Sequence, residues 1–208
     1  MSKIYESEFE ETIVGKLKQE GWTHSRGDDI TRGLEEALIS EDLRDYLATL
    51  PLLSPLTESE IQRIIANLRN TASTTEYLTS RAVFQLIQNG FTFERDDTSL
   101  PAIHIDYMNF DRTEGNIFRA VNQLTMRERG QERRPDVLLY VNGIPLCIME
   151  LKNPSDESAT VFSAWEQIHI RYKRDIPSLM KYCALSVVSD GGASLMGTPF
   201  SELEYYYA

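Results

Sequence analysis

The chain has 208 residues, 41% hydrophobic and 25% charged, with a formal net charge of −11. That length supports a real hydrophobic core in one domain. No apolar run approaches the roughly 20 residues needed to cross a membrane, and the polar start "MSKIYESEFEE" is not expected to be a signal peptide. So large an acidic excess argues against a free-standing module held to nucleic acid by charge alone.

Phe9, Ile13 and Leu17 recur at a four-residue spacing, which predicts a helix over 5–20 with Gly21 as its stop. "GDDITRG" is a loop, and Asp29 or Thr31 can cap a helix over about 33–49. "PLLSPLTESEIQ" breaks that helix, and its Thr57-x-x-Glu60 capping box opens another over 58–71. A fourth helix, about 75–89, ends at Asn89-Gly90. The period then changes to two. Strands are expected at 91–95 and 102–108, a helix at 115–125, and a hairpin of strands at 136–141 and 145–152. A helix over about 158–175, a short one at 177–182 and a strand in "CALSVVSD" complete the pattern. "SDGGASLMGTP" reads as a turn, not as a phosphate cradle. Strands interleaved with covering helices make this an α/β domain over 1–208, with a helical insertion at about 30–90. The end "ELEYYYA" supplies no clean close to a fold, so the chain is expected to be a fragment of something longer.

Cys147 and Cys183 lie in apolar runs without C-x-x-C spacing. They read as small core residues of a reducing cytoplasm, with no zinc site and no disulfide. His24, His104 and His169 are scattered, with no metal spacing. The charge is uneven: residues 1–100 carry 10 basic and 18 acidic side chains, and residues 101–208 carry 11 and 14. Basic residues cluster at Arg127, Arg129, Arg133 and Arg134, and again at Arg171, Lys173, Arg174 and Lys181. Both clusters flank the stretch "RRPDVLLYVNGIPLCIMELKNP".

That stretch carries the chemistry. Asp136 opens one apolar run, and Glu150 and Lys152 close the next. Two carboxylates at strand ends can hold Mg²⁺, a hard cation that takes oxygen ligands and keeps several waters. Such an ion acidifies a bound water and neutralises charge on a phosphodiester, while a neighbouring ammonium stabilises the transition state. Glu150 and Lys152 are two apart, so both face the same side of a strand. Asp136 depends on register. A regular two-residue turn at Asn142-Gly143 pairs Asp136 with Met149 and turns it away from Glu150. A bulged turn, or a bulge elsewhere in the hairpin, brings all three together, and a bulge is the expectation. Without it, Asp136 merely caps a turn and Glu150 and Lys152 form an ordinary exposed ion pair.

The same residues resemble the PD-(D/E)xK nuclease core, and more closely the N-terminal endonuclease domain of type I restriction enzyme R (motor) subunits. "EFEETIVGKLKQEGW" is similar to that family's opening helix, and "QIHIRYKRDIPSLMKYCALSVVSDG" to its segment after the hairpin. The resemblance implies a restriction-endonuclease-like fold, with a mixed central sheet flanked by helices. It also implies that Asp136, Glu150 and the Leu151 main-chain carbonyl bind Mg²⁺ and that Lys152 is the catalytic lysine. Glu11, ten residues before Gly21, matches an additional acidic position. Related nucleases carry Gln-x-x-x-Tyr on the following helix, but here Gln167 and Tyr172 are five apart, about 140° around a regular helix. Either that helix contains a π-bulge, or Gln167 acts with Arg171 and Arg174, which share its face. The second arrangement is the one expected, with Val161, Trp165, Ile168 and Tyr172 as the buried stripe.

The implied function is a Mg²⁺-dependent endonuclease domain cutting double-stranded DNA, in a complex with methylation and specificity subunits. No G-x-x-x-x-G-K-[ST] occurs in the chain, so any ATP-driven motor must come from further sequence. The rival readings are a stand-alone repair or mobile-element nuclease and a non-catalytic assembly module on the same fold.

Overall fold

A computed structural model describes residues 2–153 and 160–208, with side chains from Ser7 onward. The first helix, α1 (Ser2–Gln19), leads into strand β1 (Thr23–Arg26). Three helices follow: α2 (Ser40–Ala48), α3 (Glu58–Asn70) and α4 (Glu76–Asn89). Next come strands β2 (Phe91–Phe93), β3 (Ile103–Ile105), β4 (Phe118–Asn122), β5 (Met126–Glu128), β6 (Gln131–Arg133), β7 (Val137–Val141) and β8 (Ile144–Leu151). Helix α5 (Val161–Glu166) continues as a π-helix (Gln167–Tyr172) and then as α6 (Lys173–Asp175). Helix α7 (Pro177–Met180) and strands β9 (Leu185–Ser189) and β10 (Ser194–Gly197) complete the order.

Six strands form one mixed sheet in the order β1-β4-β7-β8-β9-β10. β1 and β4 are parallel, as are β8 and β9, and the other neighbours are antiparallel. Each side of this sheet is covered. Val137 and Leu151 are buried with Val14 against Phe9, Ile13 and Leu17, so the stripe read in the sequence is the face by which α1 packs on the sheet. Leu138, Tyr140 and Ile148 belong to the large core, which they share with Leu43, Leu47, Ile64, Leu68 and Val83 of the helical insertion and with Ile168 and Leu179. This α/β arrangement is the restriction-endonuclease-like fold that the resemblance implied.

The predicted capping box is present. The Thr57 hydroxyl accepts the Glu60 N–H, and the Glu60 carboxylate accepts the Thr57 N–H. Glu60 is also held by the Arg95 guanidinium, at 2.7 and 3.0 Å, with both side chains at most 4% exposed. This ion pair ties the insertion to the chain beyond β2.

Several expectations are corrected. The stretch 115–125 is no helix; it contains β4, between β1 and β7. Phe118, Val121 and Leu124 imitate a helical period, because a strand covered on both faces has no reason to alternate. The helix expected from 33 begins only at Ser40. β2 and β3 are short and pair with each other outside the main sheet. β1, the β5–β6 hairpin and β10, which lies in the stretch read as a turn, had no strand assigned to them. Pro154 of "ELKNP" and residues 158–159 of the predicted helix lie outside the described residues.

Candidate active site

Register is set at the turn between β7 and β8. Asn142 and Gly143 both have positive φ, 51° and 75°, as a two-residue type I′ turn requires. Asn142 is fully buried, and its side chain accepts the Ile117 N–H and donates to the Tyr107 carbonyl. Gly143 accepts the Ile39 N–H at 2.9 Å, so the insertion rests directly on the turn. From the turn outward Val141 pairs with Ile144 and Tyr140 with Pro145, but Leu139 pairs with Cys147. One extra residue, Leu146, is accommodated there. Beyond this bulge Val137 pairs with Met149, which places Asp136 opposite Glu150. The expected bulge therefore exists, away from the turn itself, and it brings Asp136 to the side of the sheet that carries Glu150 and Lys152.

Asp136 is 8% exposed and Glu150 1%. One Asp136 oxygen accepts the Leu151 N–H at 2.7 Å. Burial, followed by the charge of Glu150, pushes the Asp136 carboxyl up to about 8; the Leu151 N–H and Lys152 oppose this. Glu150 accepts from Lys152 Nζ at 2.8 Å, from Tyr172 Oη at 3.0 Å and from Gln167 Nε2. Gln167 in turn accepts from Lys152 Nζ at 2.9 Å and donates to Tyr172 Oη at 2.7 Å. Glu150, Lys152, Gln167 and Tyr172 thus form a closed polar ring.

The π-helix makes that ring possible, and it reverses the preference for Gln167 acting with Arg171 and Arg174. Ala164, Ile168, Tyr172 and Ile176 are all buried and four apart. On a regular α-helix such a row drifts about 40° per step. A π turn unwinds the drift, keeping the row on the core while Gln167 and Tyr172 meet at Glu150. Arg171 is exposed, and Arg174 instead holds Asp175 at 2.6 Å.

Glu11 is exposed on α1 and lines the mouth of a cleft of about 440 Å³ with Ser7, Glu10, Arg26, Asn122, Gln123, Arg134 and Asp136. The buried acid of α1 is its neighbour Glu10, at 7% exposure. Glu10 accepts from Asn122 Nδ2 at 2.6 Å and from Gln123 Nε2, and Gln123 also reaches Asp136 at 3.5 Å. The sequence reading missed Glu10, although a signal was present: Glu10 lies three, four and seven residues before Ile13, Val14 and Leu17, on their face of the helix.

The basic clusters are largely paired. Arg127 holds Glu132, and Arg133 and Arg174 share Asp175. Arg26 and Arg134 are the arginines lining the cleft.

Chemically, two buried carboxylates side by side, one of them reluctant to ionise, suit a divalent cation that would neutralise both. Among the described residues no three His, Cys, Asp or Glu side chains group as a metal cage. The donors that Asp136 and Glu150 offer are carboxylate oxygens, the type a hard cation takes.

The family described as "Type I restriction enzyme R protein N terminus" matches residues 3–205. The HindI type I restriction enzyme endonuclease subunit of Haemophilus influenzae is 28% identical over 98% of this chain and 20% of its own length. A provisionally named type I restriction enzyme endonuclease subunit of Methanocaldococcus jannaschii is 25% identical over 95% of this chain and 20% of its own. A type I restriction enzyme endonuclease subunit of Staphylococcus aureus is 23% identical over 90% of this chain and 19% of its own. The chain spans about a fifth of the length of these relatives. Among the described residues no helix is long and apolar enough to cross a membrane.

Proposed function

The chain belongs to the family of type I restriction enzyme R protein N-terminal regions, and from that premise we propose that it is the Mg²⁺-dependent endonuclease unit of such an enzyme. Its substrate is double-stranded DNA, and its reaction is hydrolysis of a phosphodiester bond. The ATP-driven motor is supplied by the remainder of the subunit, and target recognition by methylation and specificity subunits. The observation that carries the reading is the bulge at Leu146, which brings Asp136 opposite Glu150.

Asp136, Glu150 and the Leu151 carbonyl would hold the ion. Bound there, it supplies Lewis-acid chemistry, lowering the pKa of a bound water and offsetting phosphate charge. Lys152 has three N–H donors, and two are fixed by Glu150 and Gln167. The third remains for the attacking water or for the charge that develops on the phosphate. Oxygen of water bonds to phosphorus, the bond from phosphorus to the leaving sugar oxygen breaks, that oxygen takes up a proton from solvent, and the attacking water's proton ends on solvent or a nearby base. Gln167 and Tyr172 do not touch the reacting atoms in this scheme. They hold Glu150 and Lys152 in place, which is a requirement for a site that must be accurate to a fraction of an ångström. Arg26 and Arg134 offer cations to a backbone phosphate entering the cleft.

The test uses the full-length R subunit assembled with its partner subunits. Asp136→Ala and Lys152→Ala should abolish DNA cleavage while DNA-stimulated ATP hydrolysis persists. Normal cleavage by either variant would end the proposal.

A further inference from the structure

Among the described residues, three non-glycine residues have positive φ: Gln123 at 56°, Arg129 at 52° and Asn142 at 51°. Arg129-Gly130 joins β5 to β6, and Asn142-Gly143 joins β7 to β8, each as a two-residue turn in which positive φ is a condition of the hairpin. Gln123 lies in no such turn. It follows the last residue of β4, at the edge of the cleft, and a left-handed backbone is unfavourable for a side chain of its size. A strained residue of this kind persists only where its surroundings over-determine it, and such residues gather at functional sites.

Here the surroundings are the acids of the site. The Gln123 N–H donates to the Asp136 carbonyl at 2.9 Å. Its own carbonyl accepts from Arg134 Nε at 3.0 Å. Its side-chain amide donates to Glu10 and lies 3.5 Å from Asp136 Oδ1. One residue therefore contacts both acids and an arginine of the cleft wall, joining α1 to the link between β6 and β7 that carries Arg134 and Asp136. Asn122, beside it, gives Glu10 a second amide and is itself held by His24 at 2.9 Å.

We propose that Gln123 is a positioning residue, whose left-handed backbone turns one amide onto Glu10 and Asp136 so that α1 delivers its buried acid beside the metal-binding carboxylate. Without that amide Glu10 keeps only Asn122 as a partner, and nothing bridges it to Asp136 across the cleft. The inference rests on the endonuclease reading, because it supposes that a divalent cation occupies the site.

The experiment titrates Mn²⁺ into the 208-residue chain by calorimetry and measures thermal unfolding in chelator, for the native sequence, Gln123→Gly and Gln123→Asn. Glycine adopts positive φ without strain, which offsets the lost side-chain hydrogen bond, so Gln123→Gly should unfold close to the native temperature. Its Kd for Mn²⁺ should nevertheless rise by roughly 10–100-fold, the usual penalty for losing a partner that orients a metal ligand. Asparagine tolerates the left-handed region and keeps an amide on a shorter arm, so its Kd should fall between the two. A purely structural role predicts the opposite pattern, with a lower unfolding temperature and unchanged affinity. Mn²⁺ affinity in Gln123→Gly equal to the native value overturns the inference. Should Gln123→Gly fail to fold, native affinity in Gln123→Asn has the same force. Failure of the native chain to bind Mn²⁺ refutes instead the metal reading beneath it.

Discussion

Replacing Asp136 by Asn in metal-free protein should stabilise the fold while destroying the site. Asp136 is held at about 8, against an ordinary value of 3.8, by burial and by the charge of Glu150. Because the folded value lies above the unfolded one, the folded state binds the extra proton. Stability is therefore undiminished below about pH 4, falls as pH rises through the interval from about 4 to 8, and levels off above it. At pH 7 the bare linkage penalty is about 4 kcal/mol, an upper value because a flexible site admits water and relaxes. Asn is nearly isosteric and its carbonyl can still accept the Leu151 N–H, so the substitution removes the charge and keeps the anchor. A net gain of about 1–2 kcal/mol is expected, of the size typical when a functional compromise is removed. For a chain of this length that is roughly 2–8 °C in Tm. The assay is chemical denaturation in EDTA at pH 5, 6, 7 and 8. The native midpoint should decline across the series, while that of Asp136→Asn changes much less. Saturating Mg²⁺ should raise the native midpoint and leave the variant unmoved. If Asp136→Asn is less stable than the native chain at pH 7 in EDTA, the reasoning about a strained carboxylate is wrong.

Three further predictions concern the scaffold. Glu60→Gln breaks the buried pair with Arg95 and should cost about 3–5 kcal/mol in urea denaturation. Glu60 is held down at about 2, chiefly by the Arg95 hydrogen bonds, so its contribution is complete above about pH 4.5 and disappears as pH falls toward 2; the variant should lack this acid-sensitive component. Gly143→Ala places a Cβ against the Ile39 carbonyl oxygen on a backbone of φ +75°, and should lower stability by at least about 2 kcal/mol, read as a reduced unfolding midpoint. Deleting Ile170, which is 48% exposed within the π-helix, should leave Gln167 and the tyrosine four apart on a regular α-helix. That variant should still bind Mn²⁺; complete loss of binding in a folded chain would show that the π turn does more than restore register.

Much of the candidate site was readable along the chain because its members lie on one hairpin. Asp136, Glu150 and Lys152 stand at strand ends, and alternation alone puts Glu150 and Lys152 on one face. The capping box at Thr57 and Glu60 and the stripe of α1 are equally local, set by helical spacing and by unpaired N–H groups at a helix start. What escaped detection is non-local. β4 reads as a helix in the sequence because both of its faces are covered, so no alternation marks it, and β1, which pairs with it, is only four residues long. Glu10 and Glu11 are adjacent acids that differ only in which way the helix turns them.

By itself, the sequence determined the α/β class, picked out Asp136, Glu150 and Lys152 as the candidate site, and set the condition under which they could meet. Whether they met it was decided by tertiary structure. A one-residue bulge moves every side chain beyond it to the other face of a sheet, and its place at Leu146 depends on the pairing of two strands. The helix was settled in the same way. Five residues separate Gln167 from Tyr172 in any conformation, but only packing of Ile168, Tyr172 and Ile176 against the core makes the wider π turn preferable. Spacing is a property of the chain; the face on which a residue emerges belongs to whatever the chain is packed against.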